Sequence, residues 1–255
     1  KFQLKMTETA SVASKKATKV MQNSLDTDNI HEQFFDMYSK YKAIMDDISS
    51  NDNEFKICIE LINMLLKSIV KQKIFSSNEE IDDINTEYLK FGLLPHFMAQ
   101  LYTNFNSNDR LKVINLSDKY GKLFLNQCES WKILKKREQK IYDDLLDPDY
   151  DKIKRNPFQQ RTQIITTEKL NREAHNFINS LMKKNTFLKK QIKDNNFRLF
   201  NDDEDEREYW LSLYQISIRD TIKTIKQNKQ ERPLCVMFNE EQKKQIETIK
   251  YKQTN

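Results

Sequence analysis

From Ile30 to Ser49 the apolar residues Phe34, Tyr38, Tyr41, Met45 and Ile48 return at steps of four, three, four and three, which sets them on one side of a helix. Asn51, Asp52 and Asn53 supply turn and cap chemistry, and Phe55, Ile59, Ile62, Leu66 and Ile69 resume the rhythm in a second helix ending near Ile74. So short a joint predicts antiparallel packing. Ser76 to Glu80 is a polar break with acids suited to a helix start, and the stretch to Asn85 is expected to hold a short helical turn only. A third helix runs from Thr86 to Phe105 on Leu89, Leu93, Phe97 and Leu101, kinked where Pro95 removes a backbone donor. After a turn at Asn104 to Asp109, a fourth from Arg110 to about Lys136 lines up Val113, Ser117, Tyr120, Phe124, Cys128 and Trp131, with Gly121 marking a close helix contact.

Two helical hairpins in succession predict an all-α fold, a tetratricopeptide-like array of antiparallel hairpins, argued from the succession and not from a repeat consensus. Lys135 to Asp151 is charged and ends in Asp147-Pro148-Asp149, a break and candidate linker. A long helix is then expected from Thr166 to Ile192 on Leu170, Ala174, Phe177, Leu181 and Leu188. Another follows from the acidic run Asp202–Glu208 to Lys229, on Tyr209, Trp210, Leu213, Tyr214, Ile218, Ile222 and Ile225, with Pro233 ending it. The resulting plan is a poorly ordered extension over 1–29, hairpin repeats over 30–146, a linker over 147–157, a long basic helix with a packing helix over 158–238, and a weakly amphipathic tail over 239–255. The hairpins should form one curved layered array, with the basic helix extending from it or packed on its end.

Composition narrows the function. Gly and Pro together number six, too few for the hairpins and bulges of a sheet protein. No apolar run reaches the length of a membrane span and the N-terminal stretch lacks the apolar centre of a secretory signal, so a soluble cytoplasmic protein is expected. Lys1 to Lys5, opening without methionine, is expected to be a remnant or truncation point and is left out of the fold reading. Cys58, Cys128 and Cys235 lie far apart in an odd-numbered set and read as reduced, buried thiols. His31-Glu32-Gln33-Phe34-Phe35 begins like a zinc-protease helix but carries Phe35 where the second ligand must stand. His96 and His175 have no ligand-spaced companion, and two glycines, Gly92 and Gly121, cannot build a phosphate cradle. Neither an enzyme nor a metal or cofactor is expected. The acidic run reads as a helix start complementing the dipole, with a cation site as the alternative.

Charge is uneven: 21 basic against 23 acidic residues up to Tyr150, and 22 against 15 beyond it. Between Lys152 and Arg198 the balance is twelve to three. Phe158, Phe177, Phe187 and Phe197 are spaced there as core positions and give poor support for a base-stacking platform, which favours an acidic protein partner over nucleic acid.

Several separated segments carry a family resemblance. Phe75-Ser76-Ser77-Asn78-Glu79-Glu80-Ile81-Asp82-Asp83-Ile84, then Leu89-Lys90-Phe91 and Pro95-x-Phe97, resemble the junction of the second and third helices of the alpha-four family. That family is also called immunoglobulin-binding protein one, and its yeast member acts in TOR signalling. Arg110-Leu111 and Phe124-Leu125-x-x-Cys128 resemble its fourth helix. Asp202-Asp203-Glu204 into Arg207-Glu208-Tyr209-Trp210-Leu211 and Ile218 resemble its seventh, and Gln230-Glu231-Arg232-Pro233 with Val236 and Phe238 the start of its tail. The resemblance is collinear from Ile30 to Phe238. It implies a non-catalytic adaptor, monomeric outside the complex, that binds and protects catalytic subunits of type 2A protein phosphatases. It also implies a phosphatase contact through an Arg-x-x-Lys pair at the start of the fifth helix. The matching segment here is Arg161-Thr162-Gln163-Ile164, in which Ile164 replaces the lysine. Lys169 and Arg172, on the same side of a continuous helix as Arg161, are expected to supply the missing charge. The family's long acidic tail has no counterpart in these residues, as expected of a cut chain or a lineage with a short tail.

Overall fold

The computed structural model describes residues 27–47, 52–76, 78–147, 149–150, 156–184, 199–200 and 202–254. The apolar spacing of the N-terminal third produces α1 (Thr27–Asp46) and α2 (Asp52–Gln72). Phe34 and Met37 of α1 are buried against Phe55, Cys58, Ile62 and Leu65 of α2. Met37 and Cys58, on opposite sides of the turn, meet through a 4.0 Å Sγ–carbonyl contact, as antiparallel packing requires. Ile48 and Asn51 lie outside the described residues. The polar break holds a single 3-10 turn, Ile81–Asp83, whose Asp83 carboxylate accepts from the Glu80 amide at 3.0 Å.

The third helix is divided where a kink was expected. Thr86–Leu89 (α3) tightens into a 3-10 turn over Lys90–Leu93, and Leu94–Asn104 (α4) begins afresh with Pro95 in its first turn. There the missing N–H has no intrahelical partner to lose, so the proline starts a helix and bends none. Arg110–Ser130 (α5) returns antiparallel to α4; Ser117 Oγ donates to the Ala99 carbonyl at 3.0 Å and shares a 2.7 Å bond with Thr103. The chain then turns at Trp131, with Lys132 at φ 58°, and the charged stretch read as linker contains a helix, α6 (Lys136–Leu146). Its apolar face is narrow: Tyr142 and Leu145 are buried, and the rest is charged enough to read as loop.

Two long helices complete an all-α, tetratricopeptide-like array of antiparallel hairpins: α7 (Pro157–Lys184) and α8 (Asp203–Thr254). Residues 185–198, the expected end of the long basic helix among them, lie outside the described residues. α8 is the spine of the fold. It runs parallel to α3 and α4, since Thr86 bonds Asp203, Tyr214 donates to the Leu89 carbonyl and His96 bonds Thr221. It runs antiparallel to α5, since Trp131 meets Tyr214 and Asn228 donates to Ser117 and Asp118. Trp210 and Tyr214 are fully buried, with Phe34 and Tyr38 of α1 edge-on to Trp210. Gly121 has the close contact expected of it: a Cβ there would stand 3.1 Å from Thr221.

Pro233 does not end α8. The helix passes through it to Thr254. The preceding turn is clamped on three sides: Arg110 binds Glu231 through two bonds of 2.7 and 3.0 Å, Arg232 pairs with Asp118, and Lys229 donates to the carbonyls of Leu145 and Asp147. Held in helical geometry up to the proline, the chain forfeits one ladder bond and continues on the Glu-, Gln- and Lys-rich sequence that follows.

Candidate protein-binding face

α7 begins nine residues before the expected Thr166, and this places the candidate cations. Asn156 caps it, its side chain accepting from the Phe158 amide at 3.0 Å, and Pro157 takes the first helical position, whose missing N–H is unneeded. The Asn-Pro pair was the available signal. Arg161 therefore stands inside the helix, about 12 Å along it from Lys169 and about 16 Å from Arg172.

One side of α7 is covered. Leu181 is buried, Leu170, Ala174 and Ile178 are half-buried, and Asn171 bridges Arg219 and Asp220 of α8. Burial raises the pKa of the Asp220 carboxyl, against the pull of Lys223 and the Asn171 amide. Near the other end Lys184 Nζ sits 3.1 Å from Asp205, and Arg137 of α6 donates to the Gln163 carbonyl and Thr167 hydroxyl. Along this seam Ile141, Tyr150, Ile164 and Ile222 line a cleft of about 350 Å³.

The opposite side is bare. Arg161, Lys169 and Arg172 are all exposed there, and at 100° per residue they fall within an arc of about 80°. Lys169 has a 3.9 Å contact with Glu173, one turn on, a pairing between exposed groups that solvent screens. Ile164, standing where the family pattern has lysine, turns away from them toward the cleft. Phe158 and Ile165 share the cationic face at 76 % and 58 % exposure. Phe158, and Phe177 at 41 %, are thus no core positions, because α8 covers one side of α7 only; Phe187 and Phe197 lie outside the described residues. Phe158, read as a core position, is instead interleaved with the cations of the exposed face together with Ile165.

Elsewhere the ionisable groups serve packing. His96 is buried, bonded to Thr221 at 2.8 Å, and burial holds its pKa down to about 3. His31 lies beside Tyr88 and Phe91, its pKa lowered to about 4 by burial and then by Lys90. Burial pushes the Cys58 thiol up to about 12 and the Cys128 thiol well above its usual value; Cys235 is half-exposed, contrary to the expected burial of all three. The acidic run opens α8: Asp202 accepts from the Glu204 amide at 2.9 Å and Glu206 from the Trp210 indole. Among the described residues no cluster of His, Cys, Asp and Glu is arranged to hold a metal ion, and no helix is long and apolar enough to cross a membrane.

A hairpin array closed by one long spine, with a second long helix presenting a bare cationic side, defines a helical scaffold protein. The chain belongs to the TAP42-like family, whose model matches residues 28–255. The solved Tap42 alpha4 subunit shares the fold at a TM-score of 0.61 and 23 % identity, covering 82 % of this chain and 98 % of that one. The rice PP2A regulatory subunit TAP46 (Oryza sativa) is 24 % identical over 218 residues, 82 % of this chain and 51 % of its own. The Nicotiana tabacum protein of the same name is 33 % identical over 104 residues, 41 % of this chain and 26 % of its own. An uncharacterized protein of Schizosaccharomyces pombe is 22 % identical over 190 residues, 74 % of this chain and 50 % of its own. The chain thus spans about half the length of the curated relatives it matches, or less.

Proposed function

We propose that this chain is a non-catalytic adaptor that binds and stabilises the catalytic subunits of type 2A Ser/Thr protein phosphatases, with Arg161, Lys169 and Arg172 as its charged contact. The observation that carries this reading is the bare side of α7, where one continuous helix aligns the three cations away from the body of the fold. Membership of the TAP42-like family and relatives named PP2A regulatory subunits support the choice of partner. On this reading the protein is cytoplasmic, acts in TOR signalling, is a monomer outside its complex and has no catalytic chemistry of its own. Exposed cations steer an acidic surface into place and set the salt dependence of association. The test sets titration of a purified type 2A catalytic subunit against titration of random duplex DNA, each at low and high salt. Saturable phosphatase binding with no comparable DNA binding is expected. Steeply salt-dependent DNA binding with no phosphatase bound would replace this reading with a basic nucleic-acid-binding module.

A further inference from the structure

The side of α7 that meets the body centres on Leu170, Ala174, Ile178 and Leu181. Phe158 and Ile165 stand about half a turn from it, at 76 % and 58 % exposure. Seven residues apart, they lie about 10 Å from one another along the helix and within the same arc of about 80° as Arg161, Lys169 and Arg172. Arg161 falls between them, and Lys169 and Arg172 follow in the next turns. The fold does not account for this pair. Turned away from α8, both side chains stay largely in solvent, and phenylalanine and isoleucine are poorer helix formers than the Gln, Glu and Lys residues around them. Past Arg172 the same side of α7 becomes wholly polar in Asn176, Asn179 and Lys183, so the apolar pair is confined to the turns that carry the cations. Exposed apolar side chains gathered in this way mark a contact surface.

We infer that Phe158 and Ile165 are the apolar anchors of the same contact, and that this side of α7 takes from the phosphatase catalytic subunit an acidic segment presenting two apolar side chains about 10 Å apart. The inference rests on the phosphatase reading and deepens it. The occupant follows from what surrounds the pair. Three cations flank the two side chains and no carboxylate stands among them: Glu168 lies on one edge, lining the cleft, and Glu173 on the other, 3.9 Å from Lys169. An apolar surface set among cations is complementary to apolar side chains set among acids. It matches nucleic acid poorly, because Phe158 is the one aromatic on this side of α7 among the described residues, and Ile165 offers no ring on which a second base could stack. Two roles therefore divide along one helix: the cations steer association, and the apolar pair, desolvated in the complex, slows dissociation.

The test is the variant Phe158→Gln/Ile165→Gln, in which exposed side chains give way to a good helix former with no change of charge, the helix being checked by circular dichroism. Titrated with the purified catalytic subunit, it is expected to bind at least about tenfold more weakly, through faster dissociation, and by the same factor at low and high salt, since no charge is removed. Phe158→Leu/Ile165→Leu, which keeps the apolar bulk, is expected to recover most of the lost affinity. Unchanged affinity of the glutamine pair while the wild type binds, or a leucine pair as weak as the glutamine pair, would overturn the anchors and leave the phosphatase reading standing. Failure of the wild type to bind would remove the reading itself and this inference with it. Random duplex DNA and sedimentation supply the remaining arms: wild-type DNA binding that the glutamine pair loses, or a wild-type dimer that it dissociates, would assign the two side chains to nucleic acid or to a second copy of this chain and overturn the inference.

Discussion

Gly92 shows how tightly single residues are held where the hairpins meet the spine. A Cβ at this position would lie 2.1 Å from the Tyr214 hydroxyl and 2.5 Å from the Trp131 ring, and Tyr214 is fixed by its 2.7 Å bond to the Leu89 carbonyl. Neither ring has room to retreat. Gly92→Ala should therefore cost about 1–3 kcal/mol or more, read as a lowered denaturation midpoint, where a mobile neighbour would have made it neutral. His96 sets a pH dependence. Its unfolded value is 6.5 and burial holds it near 3 in the fold, so between those pH values the unfolded chain binds the extra proton. Its contribution to stability is complete above about pH 6.5 and is lost as pH falls toward 3, with a slope of up to about 1.4 kcal/mol per pH unit. His96→Asn, still able to bond Thr221, should flatten stability against pH between 6.5 and 4, though His31 acts in the same direction and remains. Equal slopes in variant and wild type would mean that His96 takes up its proton while folded.

At the scale of elements the sequence was legible wherever one face is buried and the other is not. Tyr209 to Ile225 in α8 gave helix and core face together, and the stripe from Phe34 to Met45 gave the α1 helix and one edge of its core face, Tyr38, Tyr41 and Met45 being half-buried beside the deeper Met37 and Ile44. Legibility failed for α6, whose buried side is little more than Tyr142 and Leu145, and for the start of α7, whose first two turns bury nothing. It failed again at Pro233, since a local rule cannot see the long-range pairs of Arg110 with Glu231 and Asp118 with Arg232 that hold the preceding turn. If those clamps carry the helix through a residue that opposes it, Pro233→Ala should raise stability by about 1–3 kcal/mol in chemical denaturation. A lower midpoint would show instead that the proline geometry is required there.

For the whole molecule, the charge imbalance after Tyr150 becomes directional only in the fold, because α8 covers one side of α7 and leaves Arg161, Lys169 and Arg172 on the other. The sequence and its family resemblance indicated these three residues together. That Phe158 and Ile165 are interleaved with them was hidden, since exposed and buried phenylalanines have the same spacing when a helix is covered on one side. The account stands on the claim that this side of α7 holds the phosphatase. Its most direct test is titration of a purified type 2A catalytic subunit with the triple reversal Arg161→Glu/Lys169→Glu/Arg172→Glu at two salt concentrations, with helicity followed by circular dichroism. A single exposed pair contributes about 0.2–1 kcal/mol, whereas three reversals add repulsion, so a folded variant should bind at least about tenfold more weakly, associate more slowly, and recover in part at high salt. Unchanged affinity in the folded triple variant would contradict the claim and leave the cations of α7 a solvated helix face.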